Sequence, residues 1–172
     1  MGSLDRLEKR VTLRAPVSRV WQAIAHAKEF GRWFGVELQG EFSAGTTLRG
    51  TFDEGLNESA IAEFQKKLGL PPSPVKLPEK NAVFCTVERV EPEHYFSFRW
   101  IPYGIDAEVD PRNEPTTLVE FRLERDGDGT LLTIVESGFD RVPGHRRERA
   151  FRMNDSGWAG QAENLKKHVE GR

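Results

Sequence analysis

The sequence predicts an α+β fold in which an antiparallel sheet is joined to a long helix at the end of the chain. Three observations predict it. Several segments alternate apolar and polar residues with a period of two, the signature of half-buried strands. Asp126-Gly127-Asp128-Gly129 stands between two such segments, and these residues tolerate the positive φ of a tight hairpin. Finally, Trp158, Ala162, Leu165 and Val169 step by four, three and four residues, which aligns them on one face of a helix.

Taken in order, Leu7, Val11 and Leu13 alternate with Arg6, Glu8, Arg10, Thr12 and Arg14, and only Lys9 interrupts this first strand. Pro16 reads as a first helical residue, followed by Val17, Val20, Trp21 and Ile24 at helical spacing. Glu29 to Phe34 reads as a second short helix or turn, ending in Trp33-Phe34 and punctuated by Gly31 and Gly35. From Val36 to Phe52 the pattern is strand-like, with Gly40, Gly45 and Gly50 at turns or bulges and Leu48 and Phe52 on one face.

An unusual segment follows at about 54–80. Asn57 can cap a helix, Leu56 and Ile61 can staple it, and Ile61, Phe64 and Leu68 form its apolar edge. Gly69 can end it, and Pro71, Pro72, Pro74 and Pro78 keep the return extended. Such an insertion serves either as a lid over a pocket or as a surface elaboration on the sheet. A second irregular stretch, Pro102 to Pro115, is expected to flank the same opening.

Further strands are expected at Ala82–Val90, Tyr95–Ile101, Thr116–Glu124 and Thr130–Phe139. In the final hairpin Thr117, Val119, Phe121 and Leu123 share a face. If Leu123 stands opposite Leu132, then Leu132, Ile134 and Glu136 share that inner face. Gly157 and Gly160 lie beside the stripe of the last helix, which implies close packing against the sheet or room for something else. The basic run Arg141, His145, Arg146, Arg147, Arg149 and Arg152 is interrupted by Asp140, Glu148 and Asp155 and is expected to form a solvated helix face.

A length of 172 residues suits one domain spanning 1–172 with a sizeable core. Lys+Arg number 25 and Asp+Glu 27, and the net charge of −2 excludes a globally basic nucleic-acid binder. The single cysteine, Cys85, excludes an internal disulfide or a multi-cysteine zinc site and is expected to be a buried, inert thiol. No apolar run approaches the roughly 20 residues of a membrane span, and charges replace the apolar stretch of a signal peptide near the start. A cytoplasmic location is therefore expected. The opening Met1-Gly2-Ser3 does not complete a myristoylation motif, because Arg6 stands where Ser or Thr is needed.

His26, His94, His145 and His168 have no metal-site spacing, and no phosphate loop, nucleophile elbow or dinucleotide fingerprint occurs. Neither a metal nor a cofactor is expected, and no catalytic residue is assigned. Glu136 is the most informative ionisable residue. A carboxylate on the inner face would be desolvated, fit for acid–base work or for contact with a polar ligand group, or else paired with an arginine.

Several short motifs in order resemble one known family. They are Ala15-Pro16, Val20-Trp21 with Ala23-Ile24, Arg32-Trp33-Phe34, Glu41-Phe42 with Gly45 and Gly50, and Val87 to Pro92 followed by Phe96, Phe98 and Trp100. Gly129-Thr130 with Ser137-Gly138-Phe139, and Gly157-Trp158 leading to Leu165, complete the set. From about Leu7 to Val169 the chain resembles the START-like (SRPBCC) superfamily, in the branch related to the C-terminal domain of the heat-shock ATPase activator. The resemblance implies a helix-grip fold, a curved antiparallel sheet around the final helix, often with an apolar cavity between them. It departs at 54–80, which is longer than that branch usually carries. Nothing resembles the activator's N-terminal stimulating domain.

Such cavities in relatives hold lipid-like or polyketide-like molecules, and some relatives are cyclases or hydrolases. The expected partner is thus an apolar small molecule. A chaperone-associated interaction protein is the alternative, and a cyclase- or hydrolase-like enzyme the third reading. The side chains that either line the cavity or fill the core are Trp33, Phe34, Phe52, Phe98, Trp100, Phe121, Ile134 and Trp158, with Glu136 and Gln161 as polar contacts.

Overall fold

A computed structural model describes residues 5–171, so the Met1-Gly2-Ser3 start lies outside the described residues. Strand β1 (Arg6–Leu13) buries Leu7 and Leu13. Lys9 interrupts the apolar face because its ammonium reaches Asp155 on the final helix at 2.8 Å. Two short helices follow, α1 (Val17–Ala25) and α2 (Ala27–Phe34). Pro16 is the residue before α1 rather than its first turn: its backbone is extended, and its carbonyl accepts from the N–H groups of Arg19 and Val20. Helix α2 ends on Gly35 at φ 96°, the left-handed conformation that glycine adopts without steric cost.

Strands β2 (Val36–Gln39), β3 (Thr47–Phe52), β4 (Ala82–Glu91), β5 (Tyr95–Trp100), β6 (Thr117–Asp126) and β7 (Gly129–Ser137) complete one antiparallel sheet in the order β1-β7-β6-β5-β4-β3-β2. Leu123 does stand opposite Leu132, so Val119, Phe121, Leu123, Leu132, Ile134 and Glu136 are all buried on the inner face. The register shifts at Leu48/Arg49 and at Val87/Arg89, as bulges that bend a sheet would require. Helix α4 (Gly144–Val169) packs on β1, α1 and α2 and buries Ala150, Met153, Trp158, Ala162, Leu165 and Val169. The architecture is the helix-grip fold.

The 54–80 insertion contains helix α3 (Glu58–Lys67), whose first turn is capped by Asn57 Oδ1 accepting from the Ala60 N–H at 2.8 Å. Its proline-rich return meets the Pro102–Pro115 stretch through Lys76 N–H to the Ile105 carbonyl at 2.7 Å and an antiparallel bridge between Val75 and Asp106. Buried Gln65 on α3 donates to Tyr103 Oη at 2.8 Å.

Two expectations are corrected on α4. The helix begins at Gly144 and takes in most of the basic run, which is not simply a solvated face. Arg146 is buried against Glu114 at 2.6 Å, while Arg147 donates to the carbonyls of Phe139, Asp140 and Val142. Arg149 donates to the Pro71 carbonyl and Arg152 to that of Leu68. Irregular segments leave carbonyls without ladder partners, and a guanidinium with five donors supplies them. Nor do Gly157 and Gly160 pack tightly on the sheet, since a methyl group at either would meet nothing within 4 Å.

Candidate functional site

The side chains expected at the site divide between the interior and an open groove. Inside, Phe98, Phe121, Ile134, Glu136 and Trp158 are buried and Trp100 is half-buried. Their rings form a continuous network: Trp100 and Trp158 lie 5.6 Å apart, Phe98 lies 5.4 Å from Trp100, and Phe121 lies 5.8 Å from Trp158. Tilted and edge-on contacts of this kind suit the ring quadrupole and add to the burial of area. They occupy the space between sheet and helix.

Glu136 sits inside this network with no exposed surface. Thr117 Oγ1 donates to its Oε2 at 2.6 Å, and Trp100 Nε1 to the same oxygen at 2.8 Å. Trp158 Nε1 donates to Oε1 at 2.9 Å, and Asn154 Nδ2 reaches both oxygens at 3.0 and 3.1 Å. Strands β5 and β6 and helix α4 each supply a donor to a residue on β7. No ion pair among the described residues involves Glu136, so its partners are neutral. Burial raises the carboxyl above its ordinary range, and the four donor side chains oppose that rise.

The groove, about 610 Å³ in volume, opens where α2, the β3–α3 connection and the second half of α4 meet. Trp33, Phe34, Phe52 and Gln161 line it, so four of the ten expected residues come together there. Phe34 links groove to interior, with its ring 5.8 Å from Trp158, 6.0 Å from Trp100 and 5.5 Å from Phe84. The Trp33 indole donates to the Ala23 carbonyl at 2.8 Å, fixing α2 to α1. Gln161 donates to the Phe34 carbonyl at 2.9 Å, which satisfies one of the carbonyls left open at the end of α2.

The rim holds Arg32, Asp53, Asn164, Lys167 and His168, none of them among the ten side chains expected at the site. On α4, Gln161, Asn164 and His168 recur at helical spacing, a signal that could have found two of them once Gln161 was chosen. His168 Nε2 lies 3.0 Å from Glu29 Oε1, which also pairs with Arg19. Burial works to raise the Glu29 carboxyl, but these two partners outweigh it and hold the group below its ordinary range. Cys85 lies apart from the groove, buried, with its thiol pushed up to about 12 by desolvation. Among the described residues no cluster of His, Cys, Asp and Glu could hold a metal ion, and no helix is long and apolar enough to cross a membrane.

Known proteins share this architecture. The crystal structure of protein MLL2253 from Mesorhizobium loti superposes with a TM-score of 0.67 at 18% identity, covering 96% of this chain and 97% of that one. CalU16 from Micromonospora echinospora aligns with a TM-score of 0.59 at 20% identity, over 96% of this chain and 74% of its own. DynU16, from the dynemicin biosynthetic locus, aligns with a TM-score of 0.62 at 23% identity over 96% of this chain, which spans 47% of it. At these identities the likeness is one of fold. No curated protein matches in sequence. Residues 76–170, more than half of the chain, match the family described as "Activator of Hsp90 ATPase homolog 1-like protein". With its START-like helix-grip architecture, the chain belongs to that family of Hsp90 ATPase activator homologue-like proteins.

Proposed function

We propose that this protein binds an apolar, ring-bearing small molecule in the groove between α2, the β3–α3 connection and α4. The observation that carries the reading is the joining of Phe34 and Phe52 to Trp33 in one groove of about 610 Å³, within the range of small-molecule sites. A planar ring laid on these walls removes apolar area from water, while Arg32 and Lys167 on the rim offer cationic donors to its polar groups. Family membership supports a second reading, a surface that docks on a chaperone. It lacks the apolar patch that such docking uses, since Val83 is the exposed large hydrophobic side chain among the described residues. A cyclase- or hydrolase-like activity would need a second ionisable group beside Glu136, whose bonded partners are all neutral.

Fluorescence titration with N-phenyl-1-naphthylamine, together with gentle mass spectrometry of the purified protein, tests the reading. Micromolar probe binding that weakens about tenfold in Phe52→Ala, the equivalent of ~1.4 kcal/mol, is expected. Absence of both probe binding and a copurified compound, combined with capture of an Hsp90-type chaperone by the purified protein, would favour the docking surface instead.

A further inference from the structure

Glu136 is a costly residue to hold where it lies. It is a carboxylate without exposed surface, it has no cationic partner, and it absorbs five donor contacts from four side chains. The donor set accounts for the residue type. Two of the donors are indole N–H groups, which cannot accept, so their shared partner must accept at both of its terminal atoms. A carboxylate does so; a glutamine would turn an N–H₂ group towards one of the indoles. The two tryptophans held in this way, Trp100 and Trp158, are the rings that stand behind Phe34 at 6.0 and 5.8 Å, and Phe34 is a wall of the groove.

We infer that Glu136 is a positioning residue of the groove: its ionised carboxylate clamps Trp100 and Trp158 behind Phe34, and a proton on it releases one of the clamped donors and weakens ligand binding. The inference rests on the groove being the binding site. On protonation one oxygen becomes a hydroxyl donor. Thr117 can rotate and Asn154 can turn its amide to accept, but an indole facing that oxygen loses its acceptor. The surroundings add no competing titration at the carboxylate itself. Its cross-strand neighbours Leu7 and Val119 are apolar, and the groups that bond it from β5, β6 and α4 are Trp100, Thr117, Asn154 and Trp158. The nearby charges on packed elements, Lys9 with Asp155 and Arg146 with Glu114, are paired with each other. His168 is an ionisable side chain in the groove lining, so the pH profile has to be compared across variants.

N-phenyl-1-naphthylamine stays uncharged between pH 5 and 8, and its affinity across that range reads the device. Wild type is expected to bind about fivefold more weakly at the acidic end, as the loss of one hydrogen bond implies. Thr117→Val removes a donor to the carboxylate and keeps the shape, so the midpoint of the profile should move to higher pH. Glu136→Gln should flatten the profile apart from any His168 contribution, which His168→Gln removes separately. A flat wild-type profile, or one unchanged in both Thr117→Val and Glu136→Gln, overturns the inference and leaves the groove intact as a binding site. Failure of wild type to bind the probe at any pH overturns the groove reading and this inference with it.

Discussion

At Glu136 burial and hydrogen bonding act in opposite directions on one carboxyl. Desolvation disfavours the charge, while Thr117, Trp100, Trp158 and Asn154 favour it, and the balance leaves the proton held more tightly than in an ordinary carboxyl. A group raised in the folded state adds stability below its unfolded value and loses it as the pH rises through the folded one. The stability of wild type relative to Glu136→Gln should therefore fall from about pH 4.5 towards neutrality, read by urea unfolding at a series of pH values. A difference that grows with pH would mean that the donors outweigh burial. At every pH the variant is expected to be the less stable, by about 1–3 kcal/mol, because its amide leaves an indole facing another donor. The ionised form is thus the better clamp and the costlier one to bury. The inward direction of Glu136 was legible in the sequence, since strand periodicity and the opposition of Leu123 to Leu132 settle which face it shares. Its neutral partners were not, because Trp100 and Trp158 approach it from 36 and 22 residues away.

Among the elements, α2 and α4 use glycine in opposite ways. At Gly31 a Cβ would stand 2.0 Å from the Val36 carbonyl oxygen, so β2 can cross α2 closely only if that position has no side chain. Gly157 and Gly160 lie inside α4 with nothing for a methyl to strike. Gly31→Ala is accordingly expected to destabilise by more than about 2 kcal/mol, as a backbone clash must be relieved by moving the strand. Gly157→Ala and Gly160→Ala should each stabilise by about 0.5–1 kcal/mol, the entropy that glycine loses in a helix interior. Thermal unfolding of the three variants checks both signs. Local chemistry made the elements readable: Asn57 does cap α3, and Asp126 to Gly129 do turn the last hairpin. The pattern marked the stripe from Trp158 to Val169 as the packed face of α4 but read the basic run as solvated, because nothing local shows that Arg146 is buried on Glu114 or that Arg149 and Arg152 bond carbonyls of the insertion.

Across the whole molecule, the insertion is fastened to the N-terminal half of the gripping helix, α4. Arg149 and Arg152 hold the carbonyls of Pro71 and Leu68, and the return strand joins the Pro102–Pro115 stretch at Val75 and Asp106. The insertion also supplies Gly55 and Leu56 to the groove, so one segment spans from the binding wall to the start of α4. Replacing both arginines with alanine should speed amide exchange in 54–80 by about tenfold or more, since each bond to a charged donor contributes about 1.5 kcal/mol, while the amides of β6 and β7 stay protected. Equal acceleration in the central strands would mean that the clasp supports the whole fold.

The sequence by itself determined the strands, their alternating faces, the turn of the last hairpin and the Asn57 cap of α3, because these depend on residues within a few positions of one another or on a strict period. Only the tertiary structure decided that Lys9 meets Asp155, that Gln161 closes the end of α2 at Phe34, and that ten candidate side chains divide between a filled interior and an open groove. Partners 127 or more residues apart are chosen by how the sheet curves and where the helix lies across it, and no local pattern records that geometry.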